Sequence, residues 1–187
     1  MIRQENISEI GALRLCNACG ACKFVCPGRA ITYEETIGGY LIPRVDEALC
    51  VECGLCTSVC PGAGLSPSVL DFLPADPFTG KAMASYVGKA QNEEIFNNSQ
   101  SGGIVSALLS FALEHKGMHG ALTVAMVPGK PPRPMPKFAQ STEEIIQAQK
   151  SKYCPVPLLS ILDQAEKSDA PVAVVGVPCQ VHGLLNI

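Results

Sequence analysis

Two matched runs of cysteines limit this chain more than anything else in it. Cys16, Cys19, Cys22 and Cys26 read C-x2-C-x2-C-x3-C, with Pro27 next. Cys50, Cys53, Cys56 and Cys60 repeat the spacing, with Pro61 next. Three cysteines so spaced can wrap one inorganic cluster in a tight loop that turns backbone N–H groups toward the sulfurs. Gly20 and Gly54 hold matching places in the two runs, where a small residue lets the loop close. Two other chemistries use clustered cysteines. Structural zinc usually takes two separated pairs rather than an x2-x2-x3 run. Disulfide frameworks belong to secreted chains, and the polar start Met1-Ile2-Arg3-Gln4-Glu5-Asn6 lacks the apolar core of a signal peptide. The residues therefore point to iron–sulfur clusters in a reducing compartment, taken as the cytoplasm.

The spacing resembles that of bacterial two-cluster ferredoxins, in which the fourth cysteine of each run serves the other cluster. That resemblance implies one 4Fe-4S cluster on Cys16, Cys19, Cys22 and Cys60. It implies a second on Cys50, Cys53, Cys56 and Cys26.

At 187 residues and 47% apolar, the chain has room for a core and for one or two domains. Its net charge of −3 carries no basic run, which argues against nucleic acid. No apolar stretch reaches the roughly 18 residues of a membrane span. Between the cysteine runs, Ala30 to Tyr33 and Tyr40 to Pro43 read as short strands joined at Gly38-Gly39. A short strand or helix is expected within residues 1–15, and a short helix after each cluster loop. Pro61, Gly62, Gly64, Pro67 and Pro74 punctuate the exit, placing a module boundary near residue 75. Residues 76–95 are expected to hold a linker and a first strand, at Ser85 to Val87.

The part from residue 96 to 187 changes character. A polar, glycine-bearing loop from Asn97 to Gly103 runs into Ile104 to His115, an apolar helix expected to be buried on most sides. Ala121 to Val127 reads as a buried strand. Five prolines between Pro128 and Pro136 make a loop or crossover, with a further strand from Lys137 to Gln140. Ser141-Thr142-Glu143-Glu144 is a capping box that starts a helix to about Lys150. Pro155 to Lys167 reads as another helix, and Pro171 to Val177 as a buried strand. Pro178 suits the first position of a last helix. The expected class is α+β: a two-cluster ferredoxin-like module, then an incomplete α/β domain with a largely parallel sheet. Stopping at Ile187 would leave an open sheet edge, so a longer protein or a completing partner is expected.

Three phrases in this second part carry a family likeness: Ser99-Gln100-Ser101-Gly102-Gly103, Ser151-Lys152-Tyr153, and Val175-Gly176-Val177-Pro178-Cys179-Gln180. In this order and spacing they resemble the coenzyme F-420 hydrogenase/dehydrogenase beta-subunit family. Gly39-Tyr40-Leu41-Ile42-Pro43 is similar to members with a fused ferredoxin module. The resemblance implies FAD beside the 4Fe-4S clusters, and electron transfer between a two-electron donor, such as reduced coenzyme F-420, and one-electron carriers. It implies a redox partner: a ferredoxin, or a hydrogenase or dehydrogenase complex. It makes residues 96–187 the front part of a flavin-binding domain.

The residues allow that chemistry. A glycine pair at a helix start lets a phosphate approach unpaired N–H groups at the positive end of the dipole. Ser99, Ser101, Gly102 and Gly103 are the flavin-phosphate candidates; the ordinary alternative is a plain helix cap. Lys152 is a candidate counter-charge or simply a solvated lysine. Pro178 and Gln180 lie where a strand hands over to a helix, the usual place for ligands in open α/β sheets. Cys179 could contact flavin, ligate a further cluster or be a small buried thiol; the last is its default, and Cys154 is no clearer. His115, His119 and His182 have no metal-ligand spacing. Catalytic residues are not legible. The expected function is an iron–sulfur flavoprotein oxidoreductase component. The alternatives are a non-catalytic electron-carrier subunit, or a bacterial ferredoxin-dependent reductase of an unknown organic substrate.

Overall fold

The computed structural model describes residues 6–64, 83–167 and 169–187. The expected boundary near residue 75, with Pro67 and Pro74, lies outside the described residues. Helix α1, Ser8–Ala12, opens the described part. Its Ser8 N–H is held by Asn6 Oδ1 at 2.9 Å, and it buries Ile10 and Gly11. Two short helices follow inside the cysteine runs, α2 at Ala21–Phe24 and α3 at Leu55–Ser58. Sequence placed them after the cluster loops. They start earlier because Gly20 and Gly54 take left-handed conformations, φ 100° and 73°, and turn the chain within each run.

Between the runs, β1 (Ile31–Glu35) pairs antiparallel with β2 (Leu41–Val45), as expected. Gly39, with φ 76°, makes the turn, and Thr36 N–H reaches Tyr40 O at 2.8 Å. Alternation buries Ile31 and Pro43 while Thr32 and Glu34 face out.

In the second part, Ser85 to Val87 is not a strand. Helix α4, Glu93–Asn98, occupies part of the expected polar loop. Asn92 caps it by accepting the Ile95 N–H at 3.0 Å. Helix α5, Ile104–His115, follows Gly103, whose φ is 72°. It buries Leu109 and Ser110 but leaves Ile104, Val105, Leu108 and Phe111 exposed, contrary to the burial expected of it.

Strand β3 (Gly120–Val127) is central to a three-stranded sheet of order β4-β3-β5. Its pairing with β4 (Arg133–Ala139) is antiparallel, and only β5 (Val172–Val174) runs parallel to it. The sheet is therefore mixed among the described residues, not largely parallel. The proline-rich stretch forms a tight return and then half of β4. Pro134 and Pro136, two residues apart, share one phase of an edge strand, where a missing N–H need not break the ladder.

Helix α6, Thr142–Gln147, starts at Ser141 Oγ, which accepts the Glu144 N–H at 3.3 Å. Glu144 returns to the Gln140 N–H at 2.7 Å, completing a reciprocal cap one residue wider than the usual box. Leu158–Gln164 is a 3-10 segment rather than the expected α-helix, because Ile161 breaks the helical geometry inside it. Helix α7, Pro178–Leu185, begins with Pro178 as expected.

One apolar cluster joins the two parts. Cys19, Ala21 and Val59 pack with Leu122 of β3 and with Leu158, Leu159 and Leu162 of the 3-10 segment. Leu122, Leu158 and Leu159 are fully buried. Each such side chain contributes about 1.5–3 kcal/mol through removal from water. The cysteine-rich loops are thus built into the same core as the sheet.

Candidate iron–sulfur centre and flavin loops

Cys16, Cys19, Cys22 and Cys60 line one cavity, together with Ile7, Leu15, Tyr33 and Pro61. Three of these thiols come from the first run and one from the end of the second. The cavity gathers the four thiols that the ferredoxin resemblance assigns to one cluster. Among the described residues, no three His, Cys, Asp or Glu side chains are gathered tightly enough for a single metal ion. Four thiols around one shared cavity are the donor set that a cubane takes.

Backbone dipoles favour the same chemistry. The Ala18 N–H points at Cys16 Sγ at 3.3 Å, and Ala18 itself takes φ 53° to aim it. The Ala30 N–H reaches Cys26 Sγ at 3.3 Å. Burial pushes the Cys19 thiol up to about 11 and the Cys22 thiol up to about 12. Burial also raises Cys16 and Cys60, and their mutual proximity adds to the rise at Cys16. Ligation must displace those protons, so the positive irons of a cluster are what would hold four thiolates here.

The second set is more open. Cys53 is exposed, and Cys26, Cys50 and Cys56 are half-buried. Cys26 and Cys56 pack on the apolar cluster of Ile7, Ile10 and Ile31, beside Cys22 and Cys60. The two sulfur sets therefore share one apolar partition. The Ile7 N–H and Cys53 both act on Cys56, whose thiol burial raises.

Hydrogen bonds tie the first phrase to the second, and the third to the segment just after the second. Gln100 Oε1 accepts the Ser151 N–H, linking the first phrase to the second. Gln180 Nε2 donates to Val156 O at 3.1 Å, linking the third phrase to the segment that follows the second. Most polar groups there are already engaged. Ser99 Oγ lies 2.8 Å from Phe96 O and 2.6 Å from Ser101 O. Lys152 Nζ donates to Ala148 O and Gln149 O, both at 2.5 Å, and burial lowers its pKa. Gln180 Oε1 also accepts the Val177 N–H at 3.0 Å, fixing the turn into α7 behind Pro178. Gly102 and Gly103 are demanded by packing: a Cβ at Gly102 would sit 2.7 Å from Gly88 O, and Gly103 has φ 72°. No side chain caps the α5 N-terminus.

Cys179 lies against the core that contains Cys19, on the same helix face as Gly183. A Cβ at Gly183 would be 3.3 Å from Cys19 Sγ. Cys179 is half-buried, and burial raises its thiol; Cys154 is exposed. Sequence reasoning missed Tyr33, whose hydroxyl is 3.5 Å from Cys22 Sγ. Its signal was the alternation with Ile31, which puts both on the inner face of β1.

A cysteine-lined cavity beside a second, more open set of cysteines points to the class: an iron–sulfur redox protein of the two-cluster type. Residues 15–63 match the family model described as 4Fe-4S dicluster domain. Residues 85–163 match that described as Coenzyme F420 hydrogenase/dehydrogenase, beta subunit N-term. Residues 85–163 thus carry the N-terminal domain of the coenzyme F420 hydrogenase/dehydrogenase beta subunit, with a dicluster segment in front.

Individual relatives agree. Coenzyme F420-dependent sulfite reductase of Methanocaldococcus jannaschii is 32% identical over 97% of this chain and 26% of its own length. Coenzyme F420 hydrogenase subunit beta of Methanosarcina barkeri is 35% identical over 58% of this chain and 38% of its own length. A chain of the F420-reducing [NiFe] hydrogenase complex from Methanosarcina barkeri superposes with TM-score 0.50 at 32% identity, covering 59% of this chain and 38% of that one. The chain thus spans well under half the length of these relatives. Among the described residues, no helix is long and apolar enough to cross a membrane.

Proposed function

We propose that this chain passes electrons between a two-electron donor, such as reduced coenzyme F420, and one-electron carriers, using FAD and two 4Fe-4S clusters. Cys16, Cys19, Cys22 and Cys60 hold one cluster, and Cys50, Cys53, Cys56 and Cys26 the other. When bound, FAD takes up electron pairs and the clusters accept and release single electrons. The observation that carries this reading is continuity between the sulfur site and the α/β part. Leu159 N–H bonds to Cys19 O at 2.9 Å, and Gly183 of α7 lies against Cys19 Sγ.

Each side-chain group has a task in that arrangement. Cys19 and Cys22 bury the inner cluster, while exposed Cys53 turns the outer one toward a redox partner protein. The uncapped start of α5 at Gly103 offers N–H groups to the flavin pyrophosphate. Gln100 and Ser99 hold the loop before it, and Gln180 and Lys152 brace the neighbouring backbone rather than meeting the ligand directly. A reducing cytoplasm is the compartment that suits these thiolate ligands.

A specific observation favours the alternative of a bare electron-carrier subunit. Gly102, Gly103, Lys152 and Gln180 are all accounted for by internal packing and hydrogen bonds. Anaerobic purification followed by flavin extraction and stopped-flow reduction with reduced coenzyme F420 separates the two. Bound FAD and cluster bleaching by the deazaflavin support the proposal. Clusters that respond to dithionite alone, with no flavin present, support the carrier.

A further inference from the structure

Tyr33 sits in the middle of β1, in register with Pro43 of β2. Its neighbours Thr32 and Glu34 face out, so its ring turns inward beside Ile31. There it packs against the apolar cluster of Ile7, Ile10, Cys22 and Cys60. Its hydroxyl ends 3.5 Å from Cys22 Sγ, at the wall of the cavity that Cys16, Cys19, Cys22 and Cys60 share. That separation is hydrogen-bonding distance for sulfur, which is larger than oxygen. A ligating thiolate carries no proton, so the phenol is the only possible donor of the pair.

The other sulfur set has different surroundings. Cys56 holds the place in the second run that Cys22 holds in the first. Backbone N–H groups, that of Ile7 among them, face its sulfur instead. Among the described residues, no hydroxyl is bonded to Cys26, Cys50, Cys53 or Cys56.

We propose that Tyr33 donates a hydrogen bond to the ligating sulfur of Cys22, and that this raises the reduction potential of the Cys16–Cys19–Cys22–Cys60 cluster, making the two centres unequal. The inference rests on the cluster assignment above and adds a residue to it. Reduction brings one electron from a one-electron donor onto the cluster and increases the negative charge shared by its sulfurs. A donor aimed at one of those sulfurs stabilises the reduced form more than the oxidised one. Tyr33 keeps its proton throughout, and no bond is made or broken. Burial strengthens the effect, because water does not compete for the sulfur.

The test is an anaerobic redox titration followed by electron paramagnetic resonance of the reduced clusters. Tyr33→Phe keeps the ring and its packing and removes the hydroxyl. One midpoint should fall and the other should stay, with iron and sulfide content unchanged. Tyr40→Phe, at an exposed tyrosine of the same hairpin, should move neither. A second measurement avoids any loss of folding. Fluorotyrosine incorporation makes the phenol a stronger donor at nearly the same size, and Tyr40, Tyr86 and Tyr153 are all exposed. The same single midpoint should then rise. Two unchanged midpoints in fully loaded protein, under both perturbations, would overturn the role of Tyr33 alone. A wild-type protein without 4Fe-4S clusters would overturn the cluster assignment and this inference with it.

Discussion

Gly20 and Gly54 make a matched experiment inside one chain. They hold the same place in the two cysteine runs and both take left-handed backbone, φ 100° and 73°. A side chain at either costs the strain of that conformation, about 1–2 kcal/mol. Their surroundings differ. A Cβ at Gly20 would lie 2.5 Å from Ser160 N, 2.8 Å from Pro157 O and 2.9 Å from Leu159 N. All three are backbone atoms of the 3-10 segment or its approach, so none can swing aside. At Gly54 nothing lies within 4 Å. Overpacking of this kind typically costs a further 1–3 kcal/mol, about the difference expected between Gly20→Ala and Gly54→Ala. At this chain length that corresponds to a gap in Tm of roughly 2–12 °C. Loss of clusters makes unfolding irreversible, so the comparison is of apparent Tm at one scan rate under anaerobic conditions. Far-ultraviolet circular dichroism follows the fold and visible absorbance follows the clusters. Gly20→Ala should lower both transitions together, because its loop is part of the shared core. Equal losses in the two variants would refute the claim that the first cluster loop is packed into the α/β part.

Cys60→Ser should damage the cluster of the first run although Cys60 belongs to the second. Iron should fall from about eight toward about four per chain, with one paramagnetic signal kept; loss of the Cys50–Cys53–Cys56 cluster instead would contradict the crossed assignment. Gly103→Val forces a branched side chain into left-handed backbone against Ile95, 3.2 Å from its Cβ, and should lower flavin per cluster several-fold. Lys152→Ala should reduce flavin less, acting only through the backbone it braces; equal flavin in all three proteins would remove this loop from the site. Glu144 gives a pH dependence. The Gln140 N–H and Lys137 hold its carboxyl below the ordinary range, so its contribution is full above the unfolded value near pH 4.3 and is lost as pH falls through the folded value. Amide-exchange protection of α6 should therefore decline between about pH 5 and pH 3. Glu144→Gln should weaken that decline, and an identical decline would contradict the assignment.

Much of the site was legible because its chemistry is local. A glycine turn at Gly39 and the Ser141–Glu144 cap act over a few residues, as a ligand run does, and the turn and the cap stand where the sequence placed them. What depends on long-range packing was not legible. The direction of β4 follows from a tight return through prolines, which sequence left as either a loop or a crossover; antiparallel pairing with β3 is the consequence. Helix α4 was hidden because Asn97 and Asn98 look like loop residues. Its start signal, Asn92 before Glu93 and Glu94, was present all the same. Exposure of Leu108 and Phe111 on α5 could not be read from apolar content, which says what prefers burial but not what is available to cover it. The flavin candidates show the same limit in another form. Glycine at 102 and 103 and a lysine at 152 satisfy both a ligand loop and a self-contained turn, and only the contacts reveal how much the fold already uses them.

The central claim is that eight thiolates hold two cubanes. Iron, acid-labile sulfide and zinc should be measured on one anaerobically purified preparation of the wild-type protein. The account predicts about eight iron and about eight sulfide per chain, with two interacting signals on full reduction. Zinc at full occupancy without sulfide would contradict it.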